Sequence, residues 1–259
     1  KRCILAVKLV NVLTKNQEKL IRSLAVRKNR KKSGLFVAEG LKLVTDLMKA
    51  GLEVENIYLT EGNEQHFTSA VQTNEISLRD MKSISFLETP SPVLALFKQP
   101  VHLGDFEAHT GFILLLDRIQ DPGNMGTLLR TALWYGVEHI GLVKGSVDVF
   151  NPKVVQSSMG ALAHLTCVEK TAEEWVNWSE INSRRLLVAD MDGTPASEMN
   201  WSPEDVLVLG NEGQGCDDVF KSAGSKVTLP GNASKIESLN VAVSGATLLY
   251  AYASASTEL

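Results

Sequence analysis

The stretch FILLLD (112–117) constrains the fold more than any other in the chain. It is an unbroken apolar run closed by a carboxylate. A strand with one wet face alternates apolar and polar residues, whereas a strand buried on both faces of a parallel sheet reads as a continuous run. Parallel neighbours cannot be joined by a hairpin, so each strand must be followed by a crossover, usually a helix. The downstream sequence has that rhythm. A helical stripe of Leu128, Leu129, Ala132 and Leu133 precedes HIGLV (139–143), and a helix over 151–164 precedes LTCVE (165–169). A helix around AEEWVNWSEI leads to RLLVAD (185–190). Then come DVLVLGNE (205–212), a short helix near CDDVFKSA, KVTLP (226–230) and a terminal helix from about Leu239. This alternation predicts a doubly wound α/β domain over 112–259.

Upstream, residues 15–99 read as a smaller α/β unit. Thr14 to Gln17 form a capping box opening a helix that carries Leu20, Ile21 and Leu24 on one face. LFVAE (35–39), a helix over LKLVTDLMKA stopped by Gly51, NIYLT (56–60), a weaker helix and strand, and PVLALFKQ (92–99) complete it. Residues 1–14 are expected to be an extension and 100–111 a linker. Thirteen of the 26 Lys and Arg lie in residues 1–50, against Glu18, Glu39 and Asp46, so that segment carries a net +10 and the remainder −14. The densest cluster is Arg27, Lys28, Arg30, Lys31 and Lys32. It is either a solvated helix end or a contact for nucleic-acid phosphates, from which clustered cations release counterions.

Several classes are disfavoured. No apolar run approaches the roughly 20 residues needed to span a bilayer. CILAVKLVNVL near the start is interrupted by Lys8 and followed by no small-residue cleavage site, so secretion is not expected. Cys3, Cys167 and Cys216 have neither metal-ligand nor disulfide spacing, which points to free thiols in a reducing, cytoplasmic compartment. The five histidines form no metal-binding pattern, so no metal is expected.

Open α/β sheets bind ligands at the carboxyl ends of their strands, and three such ends are unusual here. The first is DPGNMG (121–126), where Asn124 reads as the helix N-cap and Arg130 lies off the buried stripe. It has no GxxxxGK[ST], no GxGxxG and no acidic residue at the ribose-binding distance, so it is no familiar nucleotide loop. The second is LVLGNEGQG (207–215), a glutamate among glycines that let backbone approach a ligand. The third is LPGNASKIESLNVAVSGATLLYAY (229–252). There Ser238 or Asn240 can cap a helix, and Ala242, Ser244, Gly245 and Ala246 permit close packing.

Taken together, DPGNMGTLLRTA, LVLGNEGQG and LP…ESLNVAVS resemble the SpoU/TrmH family of RNA ribose 2′-O-methyltransferases in the SPOUT superfamily. The N-terminal unit, through LAVRKNRKKSGLFVAEGLKLVTDLM, is similar to the substrate-binding domain of many members. The resemblance implies a trefoil knot near the C-terminus, a rare exception to unknotted topology. It also implies S-adenosylmethionine as cofactor, a homodimer and an RNA substrate, ribosomal rather than transfer RNA by analogy. It places Gly210, Glu212, Gly213, Leu229, Pro230, Ser238 and Leu239 around the cofactor. Asn124, Arg130, Glu212, Ser238 and Asn240 fall around the methyl-transfer centre, and the five clustered cations on the RNA. Gly231 stands where many relatives have Met, and Asn211 is assigned no role.

The resemblance also implies Arg130 as the base that activates the ribose hydroxyl. A guanidinium, with a pKa above about 12, is a poor proton acceptor, so the expected role is stabilisation of the developing alkoxide and grip on a phosphate. Competing readings are a transfer-RNA ribose or RNA-base methyltransferase of the same superfamily, and a non-catalytic RNA-binding or ribosome-assembly protein. A nucleotide-dependent oxidoreductase lacks its fingerprint.

Overall fold

A computed structural model describes residues 12–67, 72–100, 106, 111–232, 234–235 and 238–255. They fall into two compact units, one taking the chain up to Pro100 together with Phe150–Gln156, the other taking the rest. The extension expected over 1–14 and the linker expected over 100–111 lie largely outside the described residues.

The first unit contains α1 (Lys15–Ser23), α2 (Arg27–Ser33), β1 (Leu35–Glu39), α3 (Leu41–Lys49), β2 (Val54–Leu59), β3 (Thr73–Glu75), α4 (Leu78–Ile84) and β4 (Val93–Lys98). The box at the start of α1 is formed as the sequence requires: the Thr14 hydroxyl accepts from the Gln17 amide at 3.2 Å, and Gln17 Oε1 accepts from the Thr14 amide at 3.0 Å. Past the end of α3, Gly51 adopts φ 87°, which a right-handed helix cannot continue. The sheet order is β1-β4-β2-β3. Strand β4 is antiparallel to both neighbours and its Val93–Phe97 side chains are all buried. Phe36 stacks on Phe97 at 5.5 Å and meets Phe150 at 5.1 Å, which accounts for Phe150–Gln156 grouping with this unit.

Arg30 corrects the picture of a five-residue phosphate patch. It is 1 % exposed, and its Nη1 donates to the carbonyls of Leu24 (2.6 Å) and Ala25 (2.9 Å). These are carbonyls that the end of α1 leaves without helical partners, so Arg30 closes that helix instead of facing solvent. Lys28, Lys31 and Lys32 are exposed and Arg27 is half-buried.

The second unit contains β5 (Ile113–Leu116), α5 (Pro122–Trp134), β6 (His139–Val143), α6 (Pro152–Ser158, whose first residues group with the first unit), β7 (Thr166–Lys170), α7 (Ala172–Ile181), β8 (Leu186–Pro195), β9 (Val206–Leu209), α8 (Asp218–Ala223), β10 (Ser225–Thr228) and α9 (Val241–Ala255). Its six strands run in the order β10-β8-β9-β5-β6-β7 and every pairing is parallel. Successive side chains serve opposite faces. Ile113, Leu115, Val206 and Val208 pack with Trp175 of α7 and Phe220 of α8. On the other face α9 comes so close that a Cβ on Gly245 would stand 2.4 Å from Leu128 and 2.7 Å from Leu209. The small residues after Asn240 therefore serve helix-on-helix and helix-on-sheet packing.

Three elements differ from the sequence reading. The helix expected over 151–164 ends at Ser158, because Met159 (φ 51°) and Gly160 (φ 91°) take left-handed conformations before a 3-10 turn at Ala161–His164. Strand β9 stops at Leu209 instead of reaching residue 212, and β8 runs on to Pro195. Among the described residues no helix is long and apolar enough to cross a membrane, and no group of three or more His, Cys, Asp or Glu could hold a metal ion.

Candidate active site

From β5 the chain proceeds outward through β6 and β7, then returns to the other side of β5 with β8, β9 and β10. The crevice between β5 and β9 is therefore the point where strand order reverses. At such a point the loops leaving adjacent strands diverge to opposite faces and leave room for a ligand.

DPGNMG is not a turn ahead of a helix; it is the helix's first turn. Asp121, not Asn124, is the N-cap: its Oδ1 accepts from the Asn124 amide at 2.8 Å, and Pro122 occupies the first helical position, where no N–H is needed. Relieved of capping, the Asn124 side chain is free for other partners. Its Nδ2 donates to Glu212 Oε1 at 2.9 Å, and its Oδ1 accepts from Asn240 Nδ2 at 3.1 Å. Asn240 caps α9, its Oδ1 accepting from Ala242 (2.9 Å) and Val243 (3.3 Å) amides. That cap fixes which end of the Asn240 amide is left to donate, and so fixes Asn124 in turn. The chain of bonds runs in one direction and ends on the Glu212 carboxylate.

The other expected residues are placed less tightly. Arg130 is exposed, about 120° around α5 from Asn124 by helical spacing, and no hydrogen bond joins it to the Asn124–Glu212–Asn240 set among the described residues. Ser238 and Leu239 are exposed immediately before the α9 cap. Leu229 is half-buried and Pro230 exposed just past β10. Gly210 leaves β9 where a Cβ would stand 2.2 Å from the Cys216 amide nitrogen, so only glycine lets the loop fold back on itself. Gly213 is exposed within that loop.

Four residues that shape the site escaped the sequence reading. Asp117, fully buried at the tip of β5, accepts from Arg118 Nε (2.8 Å) and Nη2 (3.1 Å) and from the Asp217 amide (2.7 Å). These bonds hold the Arg118 guanidinium above its ordinary range. Arg118 Nη1 lies 3.4 Å from Asp217 Oδ2. Asn211 donates to the Arg118 carbonyl (2.9 Å) and accepts from the Gly213 (2.9 Å) and Gln214 (3.1 Å) amides. One signal was available in LLLDR: a carboxylate ending a doubly buried strand must find a cationic or N–H partner nearby. Burial, with Asp117 adding to it, pushes the Cys216 thiol up to about 12, which keeps it protonated and unreactive at neutral pH.

A parallel α/β sheet with an Asn–Glu–Asn set at its switch point places a carboxylate, an acceptor for neutral N–H or cationic groups, where such folds bind ligands. The SpoU rRNA methylase family model matches residues 111–250, an MRM3-like substrate-binding domain model matches 15–95, and the chain belongs to the SpoU family. It is 31% identical to the 23S rRNA (guanosine(2553)-2′-O)-methyltransferase RlmP of Bacillus subtilis, over 91% of this chain and 96% of that one. It is 30% identical to the human mitochondrial rRNA methyltransferase 3, of which it spans 45%. A putative TrmH-family RNA methyltransferase from Porphyromonas gingivalis superposes with a TM-score of 0.84 at 35% identity, covering 93% of this chain and 98% of that one. An AdoMet-bound rRNA methyltransferase from Sinorhizobium meliloti superposes at 0.83 and 26%, covering 93% and 97%.

Proposed function

We infer that this chain is an enzyme that transfers a methyl group from S-adenosylmethionine to a ribose 2′-hydroxyl of ribosomal RNA. One observation carries the reading. In a SpoU-family chain, loops as far as 116 residues apart converge on the hydrogen-bonded Asn124, Glu212 and Asn240 at the sheet's switch point. The donor set fits this cofactor: it offers a carboxylate and neutral amides beside a glycine-shaped loop, which suits a cationic, phosphate-free ligand. When bound, the sulfonium supplies an already activated methyl group.

The chain's own residues then have to hold the partners in line and let the hydroxyl proton pass to solvent. Gly210, Glu212 and Gly213 on one loop and Leu229, Pro230, Ser238 and Leu239 on the other form the cofactor's walls. Asn124 and Asn240 hold the Glu212 carboxylate in place. Holding reactants in line contributes several kcal/mol to such a transfer. Arg130 stabilises the developing alkoxide and grips the adjacent phosphate, since its guanidinium is a poor base.

The protein acts as a homodimer in this reading. Support comes from an open groove of about 550 Å³ along α5 and α9, lined by Asn124, Thr127, Tyr135, Asn240, Val243 and Tyr250 among others. Val243 and Tyr250 are 51% and 60% exposed, and Trp134, on the same helix as Arg130, is 81% exposed. A second copy seated there would cover these side chains and bring its Arg130 toward the site. The unit over 15–99 serves as the RNA-binding domain, with Arg27, Lys28, Lys31 and Lys32 toward the phosphates, and 112–259 as the methyltransferase domain. The segment after β10 forms the trefoil knot of the family in this reading. The compartment is cytoplasmic, in keeping with the free, buried Cys167 and Cys216.

The test is transfer from labelled S-adenosylmethionine to unmodified ribosomal and transfer RNA, followed by nucleoside analysis. A 2′-O-methylated nucleoside in ribosomal RNA is expected. A methylated base, or transfer only to tRNA, would overturn the reaction or the substrate respectively.

A further inference from the structure

The loop 210–217 carries Glu212, and both its ends are tied to the two residues that follow β5. At its entry Asn211 and Gly215 exchange backbone hydrogen bonds (3.1 and 2.9 Å), closing the loop's mouth, while Asn211 Nδ2 holds the Arg118 carbonyl. At its exit the Asp217 amide is held by the Asp117 carboxylate, and the Asp217 carboxylate faces the Arg118 guanidinium. Neighbouring side chains on a strand point to opposite faces, so an Asp and the Arg next to it cannot ordinarily form a two-pronged pair. Here they do, because Arg118 takes φ 55° and turns its side chain back over Asp117. A left-handed conformation is uncommon for a non-glycine residue and persists only where surrounding contacts fix it. The Cγ of Arg118 would lie 3.5 Å from a Cβ on Gly145, whose own φ is 104°.

We propose that Asp117 and Arg118 are positioning residues: they clamp both ends of the 210–217 loop to the tip of β5 and so fix Glu212 and the loop's backbone for the cofactor. The proposal rests on the methyl-transfer reading of the site. Neither residue needs to touch substrate. The clamp joins the two walls of the switch-point crevice, so the loop is formed before any ligand arrives, and binding need not order it.

The experiment reads the loop without ligand and then with it. Hydrogen exchange of the Gly213, Gln214 and Asp217 amides is measured in the protein free of cofactor, and S-adenosylmethionine binding is measured by calorimetry. Arg118→Gly keeps the φ 55° backbone accessible and removes the side chain, guanidinium included, while leaving the carbonyl that Asn211 holds. It is expected to speed exchange of the Asp217 amide at least tenfold and weaken cofactor binding at least tenfold, with β5 and β9 amides unchanged. Arg118→Lys, which keeps the charge without the fork, is expected not to rescue either quantity. Asn211→Asp retains the acceptor for Gly213 and Gln214 and loses only the donor to Arg118; it covers the case in which Arg118→Gly does not fold, and the same loosening is expected. Wild-type exchange at these amides in the folded variants overturns the clamp. Absence of cofactor binding in the wild-type protein counts against the methyl-transfer reading instead, and the exchange comparison still decides the clamp.

Discussion

Asn240 uses the two ends of its amide for different tasks, and the tasks can be separated. Its oxygen caps α9 and its nitrogen donates to Asn124. Asn240→Ala loses both, and the cap alone is worth about 1 kcal/mol of stability, read as a lowered unfolding midpoint. Asn240→Asp caps equally well but brings an acceptor against Asn124 Oδ1. If the Asn124 amide turns to meet it, its oxygen then faces Glu212. One bond in the chain must fail either way. Stability near wild type with methyl transfer reduced on the order of 10²-fold is the expected outcome for Asn240→Asp. Wild-type activity in Asn240→Asp would show that the bond to Asn124 does nothing for catalysis. At this scale the sequence is legible in part. Glu212 stands out as a carboxylate among glycines, whereas Asn124 and Asn240 read as helix caps and join it only through the family resemblance. Asp117 and Asn211 do not stand out, since their partners lie 100 and 93 residues away.

Helix α5 is set by what its first turn can approach. A Cβ on Gly126 would lie 1.9 Å from Ser157 Oγ and 2.9 Å from the Ser158 amide nitrogen, and Ser157 itself donates to the Pro122 carbonyl at 3.1 Å. Gly126→Ala gains about 1 kcal/mol of helix propensity but must push away backbone. A net loss of about 1–3 kcal/mol, the range for overpacking, is expected in denaturant unfolding. Because the Ser158 backbone is one of the obstacles, adding Ser157→Gly should restore only part of it. Periodicity located α5 and its buried stripe. It misjudged the start by treating Asn124 as the cap, since Asp121 and Asn124 are both good caps and only geometry chooses between them. It also ran one helix through Met159 and Gly160, where a left-handed pair is invisible to an apolar pattern.

At the scale of the whole molecule, charge is unevenly shared, with +10 over residues 1–50 and −14 over the rest. Exposed Lys28, Lys31 and Lys32 act as phosphate contacts in the proposed function. Their triple replacement by Ala is expected to lower the slope of log affinity against log salt by about two to three, with stability unaltered. Arg30→Ala, between them in the same run, should behave oppositely. It leaves the Leu24 and Ala25 carbonyls without their donor and costs about 1–3 kcal/mol, with little change in salt slope. Titrating RNA binding and thermal unfolding on the two variants checks both, and a reversed pattern would sink the assignment of Arg30 to the fold.

By itself the sequence determined the parallel α/β architecture of the second unit and marked three unusual strand ends. Continuous apolar runs, helical stripes and glycine-bearing strand ends are local properties, readable over a handful of residues. Only the tertiary structure decided which cation in RKNRKK is buried, which residue caps α5, and that Asn124, Glu212 and Asn240 form one chain of bonds. Each of those depends on what a side chain meets across a strand order of β10-β8-β9-β5-β6-β7. That order places residues about a hundred positions apart within hydrogen-bonding distance, and no short window of sequence contains both partners.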